Sequence, residues 1–428
     1  MANRTKHLTA KALATQQAVA ALQNRCLVGR KWSVARQIEF ICSCSSVAKV
    51  HTCLEPGSPV AQLYFLCLHG RNKAKRQVAK TALRDLAATR TEVLTCLPLL
   101  PAVAAICQHY AARRRELSAW KPQRRNAYRQ LYDLVHYLFD EYGDVPGWVI
   151  EAWATGQLTQ QVGMARLTVH LGSGQALRAF RGLPVALTRR LEHEMRQAPY
   201  EYTFVQALRY AQLANARALP LLDPVLKSRL GQELVPDDAS WLTVAAFFRD
   251  APMTDPWQFE PVCEWIEQCR TVGVDGELPQ PGFSLKGRQM ASVLRQATSW
   301  HQRTHRARTY WGCNLALSSA WVGLPITGFE LGGAEGVRIR QLLNYAQLLE
   351  EGSAQKHCVS SYVYSCLKGR CGIFSLSVHG ARTLTVEVLA NRQIVQIRGR
   401  ENRRATEREQ DWLHQWATAA GLSFSANT

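Results

Sequence analysis

The sequence predicts a mostly α-helical chain with a C-terminal α+β module: a helix, a three-stranded antiparallel meander and a last helix. Three observations carry this expectation. Long runs rich in Ala, Leu, Gln and Arg, with few breakers, fill most of the chain up to about residue 310. Three short segments rich in β-branched residues then follow one another, Gly372–Val378, Thr383–Leu389 and Gln393–Arg398. Thr406 with Glu409 then fits a capping box, opening a helix that stops near Gly421.

Taken in order, Thr9–Leu27 and Ser33–Val50 read as helices, and Glu55–Pro59 (Glu-Pro-Gly-Ser-Pro) as a turn. Leu63–Leu68 is apolar, and Lys73–Thr89 reads as a basic amphipathic helix. Pro98 and Pro101 suggest a boundary near residue 100. Leu131–Tyr142, Pro184–Gln197, Tyr202–Arg217 and Pro261–Thr271 continue as helices. A Pro/Gly-rich patch, Leu278–Gly282, looks like a linker, and Gln289–Trp311 like a basic helix. Ser353 can cap a helix running to Gly369. We therefore expect a basic helical N-terminal region over 1–105, a helical middle domain over 106–285 and the α+β domain over 286–428.

Charge is unevenly spread. The 428 residues carry a net +19, yet residues 1–130 hold 22 Lys and Arg against 5 Asp and Glu, and residues 331–428 hold 12 against 8. A basic N-terminal third suits a surface that meets polyanions. Lys73, Lys75 and Arg76 on one helix, then Arg113, Arg114, Arg115, Arg124 and Arg125, are the candidate contacts to a nucleic-acid backbone. Trp120, Tyr128 and Tyr132 interleave with the second group and could stack on bases. A helix with core aromatics and solvated arginines fits the same residues.

No signal peptide is expected, because Met1–Lys11 is polar and basic. Thirteen scattered cysteines without framework spacing read as reduced thiols in a cytoplasm. Val93–Cys107 is too short to span a bilayer, so no membrane insertion is expected. Cys42, Cys44, His51 and Cys53 match no standard zinc spacing, and His301 with His305 lacks the metalloprotease Glu, so no metal is expected. The sequence holds no phosphate-cradling glycine loop, esterase elbow or dinucleotide fingerprint, and no cofactor is expected.

The middle hairpin can be registered. If Asn391-Arg392 is a two-residue turn, Ala390 faces Gln393, Glu387 faces Gln396 and Thr385 faces Arg398. Val386, Val388, Val395 and Ile397 then share the core face, while Thr385, Glu387, Gln396 and Arg398 share a polar one. That face is either a binding surface or an ordinary solvent face with a Glu387–Arg398 pair.

The run Glu351-Gly352-Ser-Ala-Gln-Lys-His357-Cys358-Val359-Ser-Ser-Tyr362 resembles the central motif of PcfJ-like proteins. Gly369, Ile373–Ser375, Thr385-Val-Glu387, Gln396-Ile-Arg398-Gly399 and Asn402 follow in matching order, over about residues 335–420. Upstream, Trp120, Asn126, Gln130, Val145-Pro146 and Ala152-Trp153 resemble longer members. The chain departs from the pattern at Ser360 and at Arg403-Arg404-Ala405. The resemblance implies a mobile-element context, a plasmid, integrative element or phage, and supplies no reaction.

Three functions are open at this point. The first is a nucleic-acid-binding accessory protein of a mobile element, with protein partners in its assembly. The second is a metal-independent nuclease or related hydrolase in which His357 and Glu387 exchange protons and Arg398 binds a phosphate, with Tyr362, Thr385, Gln396 and Asn402 as binding residues. The third is a non-catalytic interaction module.

Overall fold

The computed structural model describes residues 10–143, 145–155, 163–235, 238–304, 317–332 and 336–425. The chain divides into two compact units, Met1–Ala211 and Gln212–Thr428. This division does not fall near 105 or 285.

The first unit is helical. Its helices are α1 (Ala10–Arg30), α2 (Val34–Ser43), α3 (Val47–His51), α4 (Pro59–Leu63), α5 (Lys73–Ala88), α6 (Leu100–His109), α7 (Ala127–Phe139), α8 (Gly147–Thr155), α9 (Met164–Gly172) and α10 (Arg189–Arg196). α11 (Phe204–Asn215) contains the division. Capping sets many of the starts: Ser33, Asn72 and Asn126 each accept a backbone N–H in the first turn of their helix. Pro101 stands in the first turn of α6, where its missing N–H costs nothing. α6 packs on α8 and α9, so the two prolines open a helix instead of separating domains. The apolar run before α5 ends in a π-helical turn, Tyr64–Leu68.

The second unit begins with α12 (Leu222–Lys227), α13 (Arg229–Gln232), α14 (Asp238–Arg249), α15 (Phe259–Thr271) and α16 (Met290–Thr304). α14, α15 and α16 share one core built around Trp241, Phe248, Phe259, Trp265 and Val293. The Pro/Gly patch near residue 280 is a loop on this core, tied by Gln280 N–H to the Cys269 carbonyl. His305 and the end of the expected basic helix lie outside the described residues.

A six-stranded sheet follows in chain order: β1 (Phe329–Leu331), β2 (Val337–Gln341), β3 (Cys371–Val378), β4 (Ala381–Leu389), β5 (Gln393–Gly399) and β6 (Ser423–Phe424). All pairs are antiparallel except β5–β6. The expected meander is therefore the centre of a larger sheet. β2, which was not expected, alternates buried and exposed along Val337-Arg-Ile-Arg, the period of a strand covered on one face. β1 and β6 are too short to announce themselves. α17 (Tyr345–Gln355) and α18 (Val363–Leu367) precede β3, and α19 (Glu407–Ala420) packs its Trp412, Leu413 and Trp416 on one sheet face with Phe374, Val386 and Ile397.

The hairpin register holds at Thr385↔Arg398 and Glu387↔Gln396 and slips below them, where Val388 pairs with Ile394. Val395 is the extra residue of a bulge, and the loop is one residue longer than expected, closed by Arg392 N–H to the Leu389 carbonyl. Ile394 thereby takes the core place expected for Val395. Arg392 adopts the left-handed region, with φ 68°, which the longer loop requires.

The expected helix from Ser353 to Gly369 is corrected as well. α17 starts earlier, capped by Asn344, and ends at Lys356 in the left-handed conformation, φ 54°. A 3-10 turn, Val359–Tyr362, and α18 complete the segment before Gly369, φ 64°. The capping box of α19 forms as expected, and Gly421 ends that helix with φ 63°.

Trp416 is fully buried, donates Nε1–H to the Thr327 carbonyl at 2.9 Å and lies 4.9 Å from the Phe374 ring. Trp416→Ala is expected to destabilise the second unit by about 3–5 kcal/mol, read as a shifted urea midpoint.

Candidate functional site

The motif segment from α17 to α18 lies over the polar face of β4. Strand alternation places Thr385 and Glu387 on this face, and both are buried, at 0% and 4% exposure. It is therefore an interior face, and each polar group on it needs a partner.

Thr385 is bonded from both sides. Its hydroxyl donates to Glu351 Oε1 at 2.6 Å, and His357 Nε2 lies 3.0 Å from the same hydroxyl oxygen. Burial raises the Glu351 pKa, and Arg382, whose Nε stands 3.3 Å from the other carboxyl oxygen, opposes that rise. A hydroxyl has one proton, so a threonine that donates to Glu351 must accept from His357. The imidazole is then the Nε2–H tautomer, with a lone pair on Nδ1. Nδ1 is buried and has no hydrogen-bond partner among the described residues. Burial pushes the His357 pKa down to about 4, so the ring is neutral near pH 7.

His357 reaches Thr385 because the chain leaves helix at Lys356. His357 N–H bonds the Gly352 carbonyl in the terminal turn of α17. A Cβ on Gly352 would stand 3.0 Å from the His357 carbonyl oxygen, so glycine gives this turn its room.

Glu387 has a different set of neighbours. Its Oε2 accepts from the Tyr362 hydroxyl at 2.8 Å. Burial raises the Glu387 pKa to about 8, and nearby Asp255 adds to the rise. Asp255 is also buried, held up at about 6 by desolvation, and accepts from the Ser365 hydroxyl at 2.6 Å. Asp255 N–H in turn bonds Ser361 Oγ at 2.9 Å. The Met253–Asp255 loop, between α14 and α15, supplies a further bond: Met253 N–H to Gln396 Oε1 at 2.7 Å. Met253 adopts φ 60° to make it.

The expected catalytic set is thus not joined by contacts. Among the described residues, no hydrogen bond or ion pair links His357, Glu387 and Arg398. His357 pairs with Thr385 and Glu351, and Glu387 with Tyr362. Arg398 faces Thr385 across the strands, and its Nη1 bonds the Ile397 carbonyl at 2.8 Å. Burial and the neighbouring Arg404 lower the Arg398 pKa. Asn402 sits in a tight turn beside Glu401, both at positive φ, and its Oδ1 has no partner among the described residues. Glu351 and Asp255 were missed as site residues. Glu351 stood inside the motif but ahead of the helix expected from Ser353, whereas it lies within α17. Asp255 before Pro256 is a helix-start signature, and Asp255 Oδ1 does accept Trp257 N–H at 3.0 Å.

His357 also lines a cleft of about 900 Å3 between α16 and the Lys356–Tyr364 segment. Other walls are Arg295, Tyr345, Lys356, Ser361 and Tyr364. Among the described residues no group of His, Cys, Asp and Glu side chains could hold a metal. His301, buried, instead bonds the Pro261 carbonyl at 2.9 Å.

The cationic positions of the first unit differ in availability. Lys73, Lys75, Arg115 and Arg125 are exposed, and no carboxylate pairs with them among the described residues. Arg113 is held by Glu116 at 2.7 Å, while Arg114 and Arg124 each lie 3.7 Å from a carboxylate. Arg76 is half-buried and donates to the Cys44 carbonyl. Trp120 is a core residue, 7% exposed, and cannot stack on a base, whereas Tyr128 is exposed. Among the described residues no helix is long and apolar enough to cross a membrane.

The raised Glu387 pKa has a thermodynamic sign. Between about pH 4.5 and 8 the unfolded chain loses this proton while the folded chain keeps it, so stability falls as pH rises through that window. Glu387→Gln retains an acceptor for Tyr362 and does not titrate. Its stability relative to wild type is expected to improve by roughly 1–4 kcal/mol from pH 5 to pH 8, measured by urea unfolding at both pH values. An equal pH dependence in the two proteins would refute the assignment.

Residues 294–413 match the family model described as PcfJ-like protein. No curated protein and no solved structure matches the chain. The matched segment runs from α16 to the middle of α19 and contains His357, Tyr362, Thr385, Glu387, Gln396, Arg398 and Asn402. Over this C-terminal segment the chain is similar to the PcfJ-like proteins.

Proposed function

We propose that the chain is a nucleic-acid-binding accessory protein of a mobile genetic element, acting in the cytoplasm alongside protein partners. The observation that carries this reading is the segregation of charge between the two units. Residues 1–211 hold 29 Lys and Arg against 13 Asp and Glu, and residues 212–428 hold 23 against 20. Excess cations in one unit, several exposed without a carboxylate, suit a surface that displaces counterions from phosphates. Lys73 and Lys75 in the first turn of α5 are the clearest members, since cations at a helix N-terminus oppose its dipole and a structural role does not explain them. Arg115 and Arg125 extend the set.

The hydrolase alternative finds less support. A general base works best with a pKa near the operating pH, and an imidazole held at about 4 is a weak proton acceptor there. Glu387 keeps its proton beside Tyr362 and has no contact with that ring.

Binding to a labelled duplex or single strand, measured by anisotropy across a salt series, tests the proposal. The affinity is expected to fall steeply with salt. Lys73→Glu with Lys75→Glu should flatten the log–log slope by about 2 if each lysine neutralises one phosphate. Absence of binding at low salt, or salt-independent binding, would overturn it.

A further inference from the structure

We infer that the cleft between α16 and the Lys356–Tyr364 segment is a nucleotide pocket, in which His357 Nδ1 accepts a hydrogen bond from the base and Arg295 meets the phosphate. The inference deepens the nucleic-acid reading and rests on it for the choice of ligand class.

The cleft has the charge of an anion site. Arg295 and Lys356 line it, and among the described residues no Asp or Glu does. Lys356 is engaged by Glu401 at 2.7 Å in an exposed pair. Arg295 is exposed and has no carboxylate partner among the described residues. A second cleft of the same unit, of about 530 Å3, is mixed in charge: Glu260, Glu264 and Glu267 line it along α15 together with Arg229 and Arg270. The chain thus places carboxylates at one opening and withholds them from the other.

The walls suit a base. Tyr345 and Tyr364 offer half-buried ring faces, and base-on-aromatic stacking tolerates any base. Ser299 and Ser360 add hydroxyls for phosphate or sugar, while Ser361 is committed to the Cys358 carbonyl and to Asp255 N–H. The volume of about 900 Å3 lies in the range of ligand clefts.

His357 supplies polarity with a direction. The ring is 9% exposed, and its Nε2 edge is committed to Thr385 in the sheet. Nδ1 is buried and has no protein partner among the described residues. A buried acceptor left unpaired costs roughly 1–3 kcal/mol, which a ligand N–H at that position recovers. The Glu351–Thr385 pair keeps the proton on Nε2, so Nδ1 can only accept. The pocket therefore selects a ligand edge that donates, such as an amino or imino group of a base.

Titration of the full chain with nucleoside monophosphates, followed by ligand-observed NMR and calorimetry, tests this. Inorganic phosphate and a single-stranded oligonucleotide are the comparison ligands. Mononucleotides are expected to bind wild type and the Lys73→Glu, Lys75→Glu variant alike. Arg295→Glu, an exposed substitution, should weaken them tenfold or more. Thr385→Val removes the group that fixes the imidazole tautomer and should weaken the preference among bases, with the thermal midpoint checked in parallel. Should that variant fail to fold, Tyr345→Ala, which removes a stacking face, should lower base affinity at least threefold and leave phosphate competition unchanged.

Mononucleotides that bind wild type and Arg295→Glu equally, or not at all, would overturn the inference while salt-dependent oligonucleotide binding survives. Phosphate competing as well as the mononucleotides would reduce the site to a bare anion site and overturn its base-reading part. Mononucleotide binding without oligonucleotide binding would support the pocket and sink the nucleic-acid reading of the whole chain.

Discussion

Strand β4 is buried on both faces, and one of those faces carries a threonine hydroxyl and a carboxyl group. Val386 and Val388 are covered by α19, while Thr385 and Glu387 are covered by the α17–α18 segment. Polar groups enclosed in this way must find partners inside the protein or cost stability. Much of the matched domain follows from that constraint. The left-handed Lys356 brings His357 down onto Thr385. The 3-10 turn after it brings Tyr362 onto Glu387. The Met253–Asp255 loop closes the remaining gap from more than a hundred residues upstream.

The interior stays nearly neutral by opposite shifts. Desolvation disfavours any charge, so it keeps a proton on Glu387 and off His357. The two residues that suggest an acid–base pair in the sequence are therefore a protonated carboxyl and a neutral imidazole with separate partners. Burial pushes Glu351 the same way as Glu387, with Arg382 beside it opposing the shift. Such an arrangement holds a tautomer and a ring orientation better than it moves protons. That is why the geometry points to recognition at His357.

Local chemistry was legible. The capping box at Thr406 and Glu409, the glycine stop at Gly421, helix α5 and the inner strands follow from spacing and residue type. So do the upper hairpin pairs, Thr385 with Arg398 and Glu387 with Gln396. The bulge at Val395 was not legible, because Val395 and Ile394 are equally suited to a core and only packing under α19 chooses between them. The break at Lys356 was not legible either. Lysine is a good helix former, and its left-handed conformation is imposed by the contact that His357 makes 28 residues downstream.

The sequence by itself determined the helical character, the central meander, the placement of Thr385 and Glu387 on one face, and the excess of cations before residue 211. These depend on periodicity, capping and composition, which are local or additive. The tertiary structure alone decided that this face is interior, that His357 pairs with Thr385 and Glu351, and that Asp255 joins Glu387 from a distant loop. Those outcomes turn on which surfaces bury one another, and burial is a property of the packed chain that no single segment carries.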